Sequence, residues 1–382
     1  MDDTLAETLT TWRRHLHAHP ELSCHERETA AFVCARLAEL GIPHVAGVGG
    51  HGVVATLSRG RSNRSVGLRA DMDALPITET SGLPHASRHA GVMHACGHDG
   101  HTVSLLGAAA LLARDPSWTG TVQLVFQPAE EGFGGALAML ADGVLERFPM
   151  ERIFAWHNWP GLAAGTVAVH DGPVMAGASR LGITLHGQPS HAGLPHLGRD
   201  PILAAGHLLV ALQSVVSRDL DPLESAVVSI CMIEGGVAHN QIPSEVRLCG
   251  TLRSYKPAVR AQMNAAIARV VDGIAATFGL RADLDLPPGI SATVNHPAET
   301  ELAAAAVSAC GLKLRRDLPP AMTSEDFGCF LAERPGAFLW IGNGTAAGGE
   351  LHTPDYDFND SILTTAAAAL AAIATRSLRE GA

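Results

Sequence analysis

A chain of 382 residues is too long for one ordinary hydrophobic core, so we expect two domains, each with its own apolar interior. Its hydrophobic content of 47% and charged content of 17% are typical of a globular protein and exclude a disordered chain. The net charge of -11, with only 27 Lys and Arg, argues against nucleic acid or an anionic membrane as a partner and favours a small-molecule substrate.

The cysteines and the amino terminus indicate a compartment. Seven cysteines, an odd number without regular spacing, do not form a disulfide framework, which favours a reducing environment. The start "MDDTLAETLTTWRRHLHAHPEL" is acidic and then amphipathic, without the pattern of a signal peptide. No run of 18 apolar residues occurs, so we expect no membrane span and a cytoplasmic protein.

The first part of the chain alternates between helical and strand patterns. Apolar residues at helical spacing predict one helix that ends before Pro20 and a second that ends at Gly41. The segments that follow, and those near the end of the chain, are the strands "GVVATL" and "SVGLRA", the helix "HTVSLLGAAALLARD", the strands "TVQLVF", "RIFAWH" and "GAFLWIGNG", and the helix "SILTTAAAALAAIATRSL". This alternation predicts the α/β class, with helices flanking a largely parallel sheet.

The middle of the chain has a different order of elements. They are the strand "RLGITLHG", the helix "DPILAAGHLLVALQSVVSR", the strands "SAVVSICMIEGG" and "SEVRLCGTLRSY", the helix "AVRAQMNAAIARVVDGIAATFG" and the strand "RADLDL". Strand-helix-strand-strand-helix-strand is the ferredoxin-like order. We therefore predict an inserted α+β domain over residues 178–288, between two parts of a discontinuous larger domain, 1–177 and 289–382.

Polar side chains follow three of the predicted strands at the point where each strand ends. Asp71 and Asp73 follow "VGLR", Glu130 and Glu131 follow "VQLVFQPA", and His157 ends "IFAWH". In open α/β sheets, ligands bind beyond the carboxyl ends of the strands. We therefore expect these acidic and imidazole groups to meet at one edge of the sheet.

The stretch "MHACGHDGHT" leaves four roles open for Cys96: nucleophile, redox thiol, buried filler or metal ligand. A Cys-x-His spacing just before a helix allows the side chains of Cys96 and His98 to turn toward one ion. Thiolate and neutral imidazole suit zinc, nickel, cobalt or manganese far better than calcium or magnesium. A buried cysteine beside a helix-capping histidine explains the motif alone equally well.

The other candidates also have structural explanations. Of the adjacent carboxylates Glu130 and Glu131, one can bind metal while the other holds a water, but a solvated acidic turn has the same pattern. His157 fits a core histidine equally well, and His352 lies in "LHTPDYDFND", whose composition is typical of local turns. Residue patterns alone leave these choices open.

Taken in order, ten stretches resemble the metal-dependent amidohydrolase family of the aminoacylase and carboxypeptidase clan, in the branch of hippurate hydrolases and auxin-conjugate hydrolases. They run from about residue 13 to residue 360 and are "RRHLHAHPELS", "LRADMDALPI", "HACGHDGHT", "LVFQPAEEG", "AWHNWPGLAAGTV", "GPVMAGA", "PSHAGLPHLGRDPI", "NQIPSEVRLCGTLRS", "MTSEDFG" and "LHTPDYDFND". The resemblance implies a zinc-peptidase-like α/β/α catalytic domain with a mostly parallel sheet. It also implies that the inserted domain is a lid that mediates a homodimer, with a homotetramer as the alternative.

The resemblance also assigns roles to single residues. It implies five ligands for two divalent ions: Cys96, His98, Glu131, His157 and His352. Glu130 matches the general base, and Asp73 matches an acid that orients a ligand, although a strand-end cap would also explain Asp73. In the lid, His191 is implied to polarise the scissile carbonyl in the neighbouring subunit. Asn240 and Arg253 are implied to bind substrate, and the planar fork of Arg253 suits a carboxylate, with a surface salt bridge as its alternative.

The function implied by the resemblance is hydrolysis of the amide bond of N-acyl (aroyl or acetyl) amino acids. Two ions, Mn, Zn, Ni or Co, would lower the pKa of a bridging water from about 15.7 toward about 7, and Glu130 would take its proton. A Cys-His nucleophilic hydrolase explains fewer residues, because a metal-bound thiolate cannot attack. A dipeptidase or carboxypeptidase of the same clan and a non-catalytic metal-binding protein are the alternatives.

Several neighbouring residues have less definite roles. We expect structural or ligand-supporting roles for His94, His101 and His196. Tyr356 stands at a position where the family often has another aromatic residue, and the two residues that flank Asn240 also differ from those common in the family. We expect these departures to affect side-chain specificity.

Overall fold

The computed structural model describes residues 3–132, 134–344 and 349–379. The chain folds into two compact units. The first unit is discontinuous and contains Met1–Val174, Val294–Pro320 and Asp326–Ala382. The second unit contains Met175–Thr293 and Ala321–Glu325.

The strands of the described residues are, in chain order, β1 (His44–Val48), β2 (Gly52–Arg59), β3 (Ser65–Asp71), β4 (Gly120–Gln127), β5 (Arg152–Pro160), β6 (Val167–Ala168), β7 (Pro173–Met175), β8 (Gly177–His186), β9 (Ser190–His191), β10 (Ala226–Gly235), β11 (Gln241–Ile242), β12 (Glu245–Ser254), β13 (Arg281–Asp285), β14 (Thr293–Val294), β15 (Leu314–Arg315) and β16 (Gly336–Gly344).

The helices of the same residues are α1 (Asp3–Ala18), α2 (Arg27–Glu39), α3 (His98–Arg114), α4 (Gly135–Ala141), α5 (Val144–Arg147), α6 (Pro201–Ser214), α7 (Pro257–Phe278), α8 (Pro297–Ala309), α9 (Gly328–Glu333) and α10 (Leu363–Arg379). Short 3-10 or π turns add Pro195–Leu197, Val215–Asp219 and Asp360–Ile362.

An eight-stranded sheet forms the centre of the first unit, in the order β1-β2-β4-β3-β5-β16-β6-β15. The four central strands, β4, β3, β5 and β16, are parallel, which confirms the predicted α/β class. The sheet is nevertheless mixed, because β2 runs antiparallel to β1 and β4, and β6 runs antiparallel to β16. Only three residues join β1 to β2, a connection too short for a parallel pair.

The central strands are buried on both faces, as continuous apolar runs predict. Helices α3 and α10 pack against each other and against β3. Because β4, β3 and β5 are parallel neighbours, the residues that follow them emerge side by side at one edge of the sheet. This edge carries the candidate site.

The second unit contains a four-stranded antiparallel sheet in the order β10-β12-β8-β13. Its chain order, β8, α6, β10, β12, α7, β13, is that of the ferredoxin-like fold. Apolar residues of β8 and β12 form one core with those of α6 and α7. A separate short ladder pairs β9 with β11. Strand β10 is an edge strand of the four-stranded sheet.

Two helical segments, Pro201–Asp219 and Asp360–Arg379, are long and apolar enough to cross a membrane by length and composition alone. Leu208 and Leu212 of the first lie in the core of the second unit, and Leu370 and Ile373 of the second lie in the core of the first. Both segments therefore contribute apolar residues to the core of their unit, while the first also exposes Ile202 and Val210.

Candidate metal centre

Four segments of the first unit deliver the five predicted metal ligands to the carboxyl edge of the central strands. Glu131 follows β4 and His157 lies within β5, while His98 is the first residue of α3 and Cys96 stands two residues before it. His352 lies in the loop that follows the last described residue of β16. Its backbone N–H donates to the carbonyl of Ala95, at 2.8 Å, which ties this distant loop to the cysteine segment.

The five side chains form two groups of three that share one sulfur. The donor atoms of Cys96, His98 and His157 lie within 4.8 Å of one another, and so do those of Cys96, Glu131 and His352. Within these groups the Cys96 Sγ is 3.3 Å from His157 Nε2, and Glu131 Oε1 is 3.0 Å from His352 Nε2. The common thiol therefore stands between two potential cation positions.

The buried imidazoles present the correct nitrogen to such a cation. His98 donates its Nδ1–H to Asp73 Oδ1, at 3.2 Å, and His157 donates its Nδ1–H to the carbonyl of Asn158, at 2.7 Å. Each bond leaves Nε2 on the side away from the protein partner. Burial would lower the pKa of His98, but the charges of Asp71 and Asp73 raise it to about 10, so a cation would have to displace the proton on its Nε2. His98 Nε2 is buried and makes no hydrogen bond with any described residue, so this nitrogen needs a partner such as a metal ion.

Asp73 holds the two acidic residues and His98 together. Its Oδ1 accepts from the backbone N–H of Glu130, at 3.1 Å, in addition to His98, and its Oδ2 accepts from the backbone N–H of Glu131, at 3.0 Å, and from Ser23 Oγ, at 2.6 Å. Burial alone would raise the pKa of Asp73, but the bonds from His98 and Ser23 outweigh it and the pKa is lowered. Asp73 is therefore a carboxylate anion that binds His98 and the segment of Glu130 and Glu131, a role beyond that of capping the end of a strand.

The electrostatics of the thiol also fit a cation. Burial, followed by the charge of Glu131, raises the pKa of Cys96 well above its usual value. A divalent ion reverses this effect, because a coordinating thiol is deprotonated outright. Burial, followed by the neighbouring His101, holds the pKa of His157 well below its usual value, so its imidazole is neutral, as a metal ligand must be. The donor set of thiolate, imidazole and carboxylate fits divalent transition metals.

The three remaining predicted residues belong to the second unit. His191 of β9 pairs with Gln241 of β11, and the carbonyl of Asn240 accepts from the N–H of Ala192, so His191 and Asn240 lie on one exposed ladder. Arg253 lies apart from them on β12, between Ala178 and Val227.

Sequence reasoning missed Glu26, which shapes the segment before the acidic pair. Its buried Oε1 accepts from the backbone N–H of Cys24, at 3.0 Å, and of Ala129, at 2.7 Å. Ala129 has a φ of 53°, in the left-handed region that is uncommon for alanine. The hydrogen bond from Ala129 to Glu26 stabilises this conformation. No pattern in the sequence predicts this bond.

Asn158 was also missed, although it directly follows His157. Its Oδ1 is 2.7 Å from His101 Nε2, and its Nδ2 donates to the hydroxyl of Tyr356, at 2.5 Å. Tyr356 is fully buried, so its ring makes no direct contact with solvent, and its effect on side-chain specificity stays a prediction. Asp71 accepts from His101 Nδ1, at 2.6 Å, so both ring nitrogens of His101 have protein partners, as a structural role requires.

Residues 67–376 match the profile of peptidase family M20/M25/M40. The chain belongs to this family. A dinuclear metal-binding peptidase from family M20 of Bacillus subtilis superposes with a TM-score of 0.86 at 35% identity, over 99% of both chains.

Curated relatives of this M20 chain include a deacetylase and a hippurate hydrolase. It is 40% identical over 364 residues to an N-acetyl-L-cysteine deacetylase of Bacillus subtilis, covering 95% of this chain and 86% of the deacetylase. It is 38% identical over 373 residues to a hippurate hydrolase of Campylobacter jejuni, covering 96% of both chains. The resemblance to the hippurate hydrolase branch is therefore confirmed.

Proposed function

We propose that this M20 chain is a metal-dependent amidohydrolase that cleaves the amide bond of N-acyl amino acids, of the hippurate or N-acetyl type. The products are a carboxylic acid and a free amino acid. The observation that carries the proposal is the pair of ligand groups that share Cys96, with Glu130 beside them. The deacetylase and hippurate hydrolase relatives support this substrate class.

In the proposed reaction, two bound divalent ions, of Mn, Zn, Ni or Co, would lower the pKa of a water and act as Lewis acids toward the amide carbonyl. Cys96, His98 and His157 would hold one ion, and Cys96, Glu131 and His352 the other. Glu130 is 8% exposed, and a carboxylate oxygen lies within 4.8 Å of donor atoms of His98 and Glu131. From this place Glu130 takes the proton of the attacking water and passes it to the departing amine nitrogen.

The second unit is proposed to complete the site of a second copy of the chain. His191 Nδ1 accepts from the N–H of Gly193, at 3.0 Å, so the ring carries its proton on Nε2, where it can donate to a developing oxyanion. Asn240 and Arg253 would bind the substrate, with the guanidinium on its carboxylate.

The surface of the second unit supports a dimer. The edge strand β10 exposes Met232 and Ile233, and α6 exposes Ile202 and Val210. An unpaired strand edge flanked by apolar side chains is a surface that pairs with another copy.

Mixing two inactive variants tests the exchange of His191 between subunits. Glu130→Gln and His191→Ala, mixed and allowed to exchange, are expected to regain about one quarter of wild-type activity, because half the dimers are mixed and each contains one complete site. If His191 serves its own subunit, mixing restores nothing.

A substrate panel tests the reaction itself. Benzoyl-glycine, N-acetyl amino acids and dipeptides are compared on protein loaded separately with manganese, zinc, cobalt or nickel, with a chelator-treated control. We expect release from the N-acyl amino acids and about 10²- to 10⁴-fold less turnover in Glu130→Gln, with metal content unchanged. Preferential cleavage of dipeptides would favour a dipeptidase, and no turnover with both ions bound would favour a metal-binding protein.

A further inference from the structure

Strand β3 carries an arginine in its fully buried part. The side chain of Arg69 is 0% exposed. It donates from Nε to Gln127 Oε1, at 2.8 Å, and from its two terminal nitrogens to Asp71 Oδ2, at 2.8 Å, and Asp326 Oδ1, at 3.0 Å. A buried ion pair is weak evidence for stability, because well-packed apolar residues of the same volume often stabilise a core as well or better. The position of this charge therefore needs another explanation.

The Asp326 carboxylate is held from several sides. In addition to Arg69, its Oδ1 accepts from Gln127 Nε2, at 2.7 Å, and its Oδ2 accepts from the backbone N–H of Ala136, at 2.9 Å. Gln127 is the last residue of β4, and Ala136 is in the first turn of α4. A side chain anchored on two strands and a helix also fixes the direction of its own backbone N–H.

That backbone N–H points at the proposed base. The amide of Asp326 donates to Glu130 Oε1, at 3.3 Å, while the amide of Glu130 is held by Asp73. A glutamate has three rotatable side-chain bonds, and a general base must stand within hydrogen-bond reach of the proton that it takes. The bond from the Asp326 amide restricts the carboxylate end of the Glu130 side chain. The bond from the Glu130 amide to Asp73 holds the backbone from which that side chain starts.

We propose that Asp326, fixed by Arg69, is a positioning residue for the carboxylate of Glu130. This inference rests on the proposed function, because it assumes that Glu130 is the base. Arg69 and Asp326 themselves need no contact with substrate, and their effect on the rate passes through Glu130.

The test is Asp326→Asn, made both in the wild type and in the Glu130→Gln variant. Asp326→Asn keeps the shape of the side chain but turns an amide NH₂ toward one of its donors. Since misplacing a reacting group by about 1 Å can cost about 10²-fold, we expect kcat to fall about 10- to 100-fold with KM nearly unchanged. In the Glu130→Gln background the same substitution is expected to lower the residual rate less than twofold, because residues that act as a unit are not additive.

Two measurements exclude a general structural effect. The metal content and the visible spectrum of the cobalt-loaded protein, which reports the thiolate ligand, are expected to stay as in the wild type. The matched control is Glu299→Gln, which removes a carboxylate that is also buried, 6% exposed and 3.7 Å from Arg152 Nε, at the start of β5. It is expected to leave kcat unchanged.

Arg69→Lys supplies a second route if Asp326→Asn does not accumulate as folded protein. Lysine keeps the charge but lacks the planar fork that serves several acceptors at once, so the same loss of kcat is expected. The inference is overturned if kcat is unchanged in the folded variant, or if its loss multiplies fully with that of Glu130→Gln. The proposed function fails differently, through a wild type without turnover or a Glu130→Gln variant with normal turnover.

Discussion

Replacing Asp73 by asparagine tests whether this buried carboxylate organises the metal centre. The two carboxylate oxygens accept four hydrogen bonds, from His98, Ser23 and the backbone N–H groups of Glu130 and Glu131. The amide of asparagine can keep its oxygen toward His98 and Glu130. Its NH₂ group then faces the N–H of Glu131, which loses its acceptor, whereas the hydroxyl of Ser23 can rotate and accept.

The expected loss of stability follows from the number of hydrogen bonds that Asp73→Asn removes. One orphaned buried N–H costs about 1–3 kcal/mol, so the free energy of unfolding of metal-stripped Asp73→Asn, measured in urea, is expected to fall by that amount. The neutral amide is also a weaker acceptor for His98 Nδ1–H. Loss of such a partner typically lowers metal affinity about 10- to 100-fold, which competition with a chelator measures.

Ser23→Ala is the graded control. It removes one donor to Asp73 and leaves the bonds to His98 and to both backbone amides. We expect a loss of about 1 kcal/mol in stability and wild-type metal affinity. Equal metal affinity in Asp73→Asn and the wild type would refute the reasoning, and so would equal loss of metal in both variants.

Three further outcomes are expected. Cys96→Ser should lower the content of both ions together in elemental analysis, because both groups use this sulfur. Burial would lower the pKa of His17, but its bond to Asp99 raises the pKa from 6.5 to about 9. The resulting stability, about 3 kcal/mol, is complete below pH 6.5 and lost as the pH rises through about 9, so His17→Gln should flatten urea-unfolding stability over this window. Gly100→Ala should destabilise by about 1–3 kcal/mol in urea, because its Cβ would stand 2.3 Å from the buried ring of Phe358.

The sequence predicts those parts of the site that depend on chain direction. The runs "VGLRADMD" and "VQLVFQPAEE" end in acids, and parallel neighbouring strands place those ends together, so the order of the strands predicts that Asp73 lies near Glu130 and Glu131. The segment "GAFLWIGNG" corresponds to β16, Gly336–Gly344. Local periodicity is sufficient for these features, because each depends on neighbours in one strand.

Contacts between distant segments are not encoded in any local pattern. The single charge within the apolar run "SVGLRA" indicates that Arg69 needs a buried partner. It does not identify that partner, which lies 257 residues away at Asp326. The burial of Tyr356 against Asn158 is likewise set by packing between a loop and a strand end, which the sequence near His352 does not reveal.

Because Cys96 belongs to both ligand groups, any change at its sulfur affects both cation positions. Two ions that both bound this sulfur would be gained and lost together, so under the proposed function a chelator titration should show one transition instead of two. Oxidation of that sulfur to sulfenic acid, a single chemical event, would dismantle the whole centre. A bound cation would also occupy the sulfur lone pair with which the thiolate attacks an oxidant, so the protein is expected to be most easily oxidised when metal is scarce.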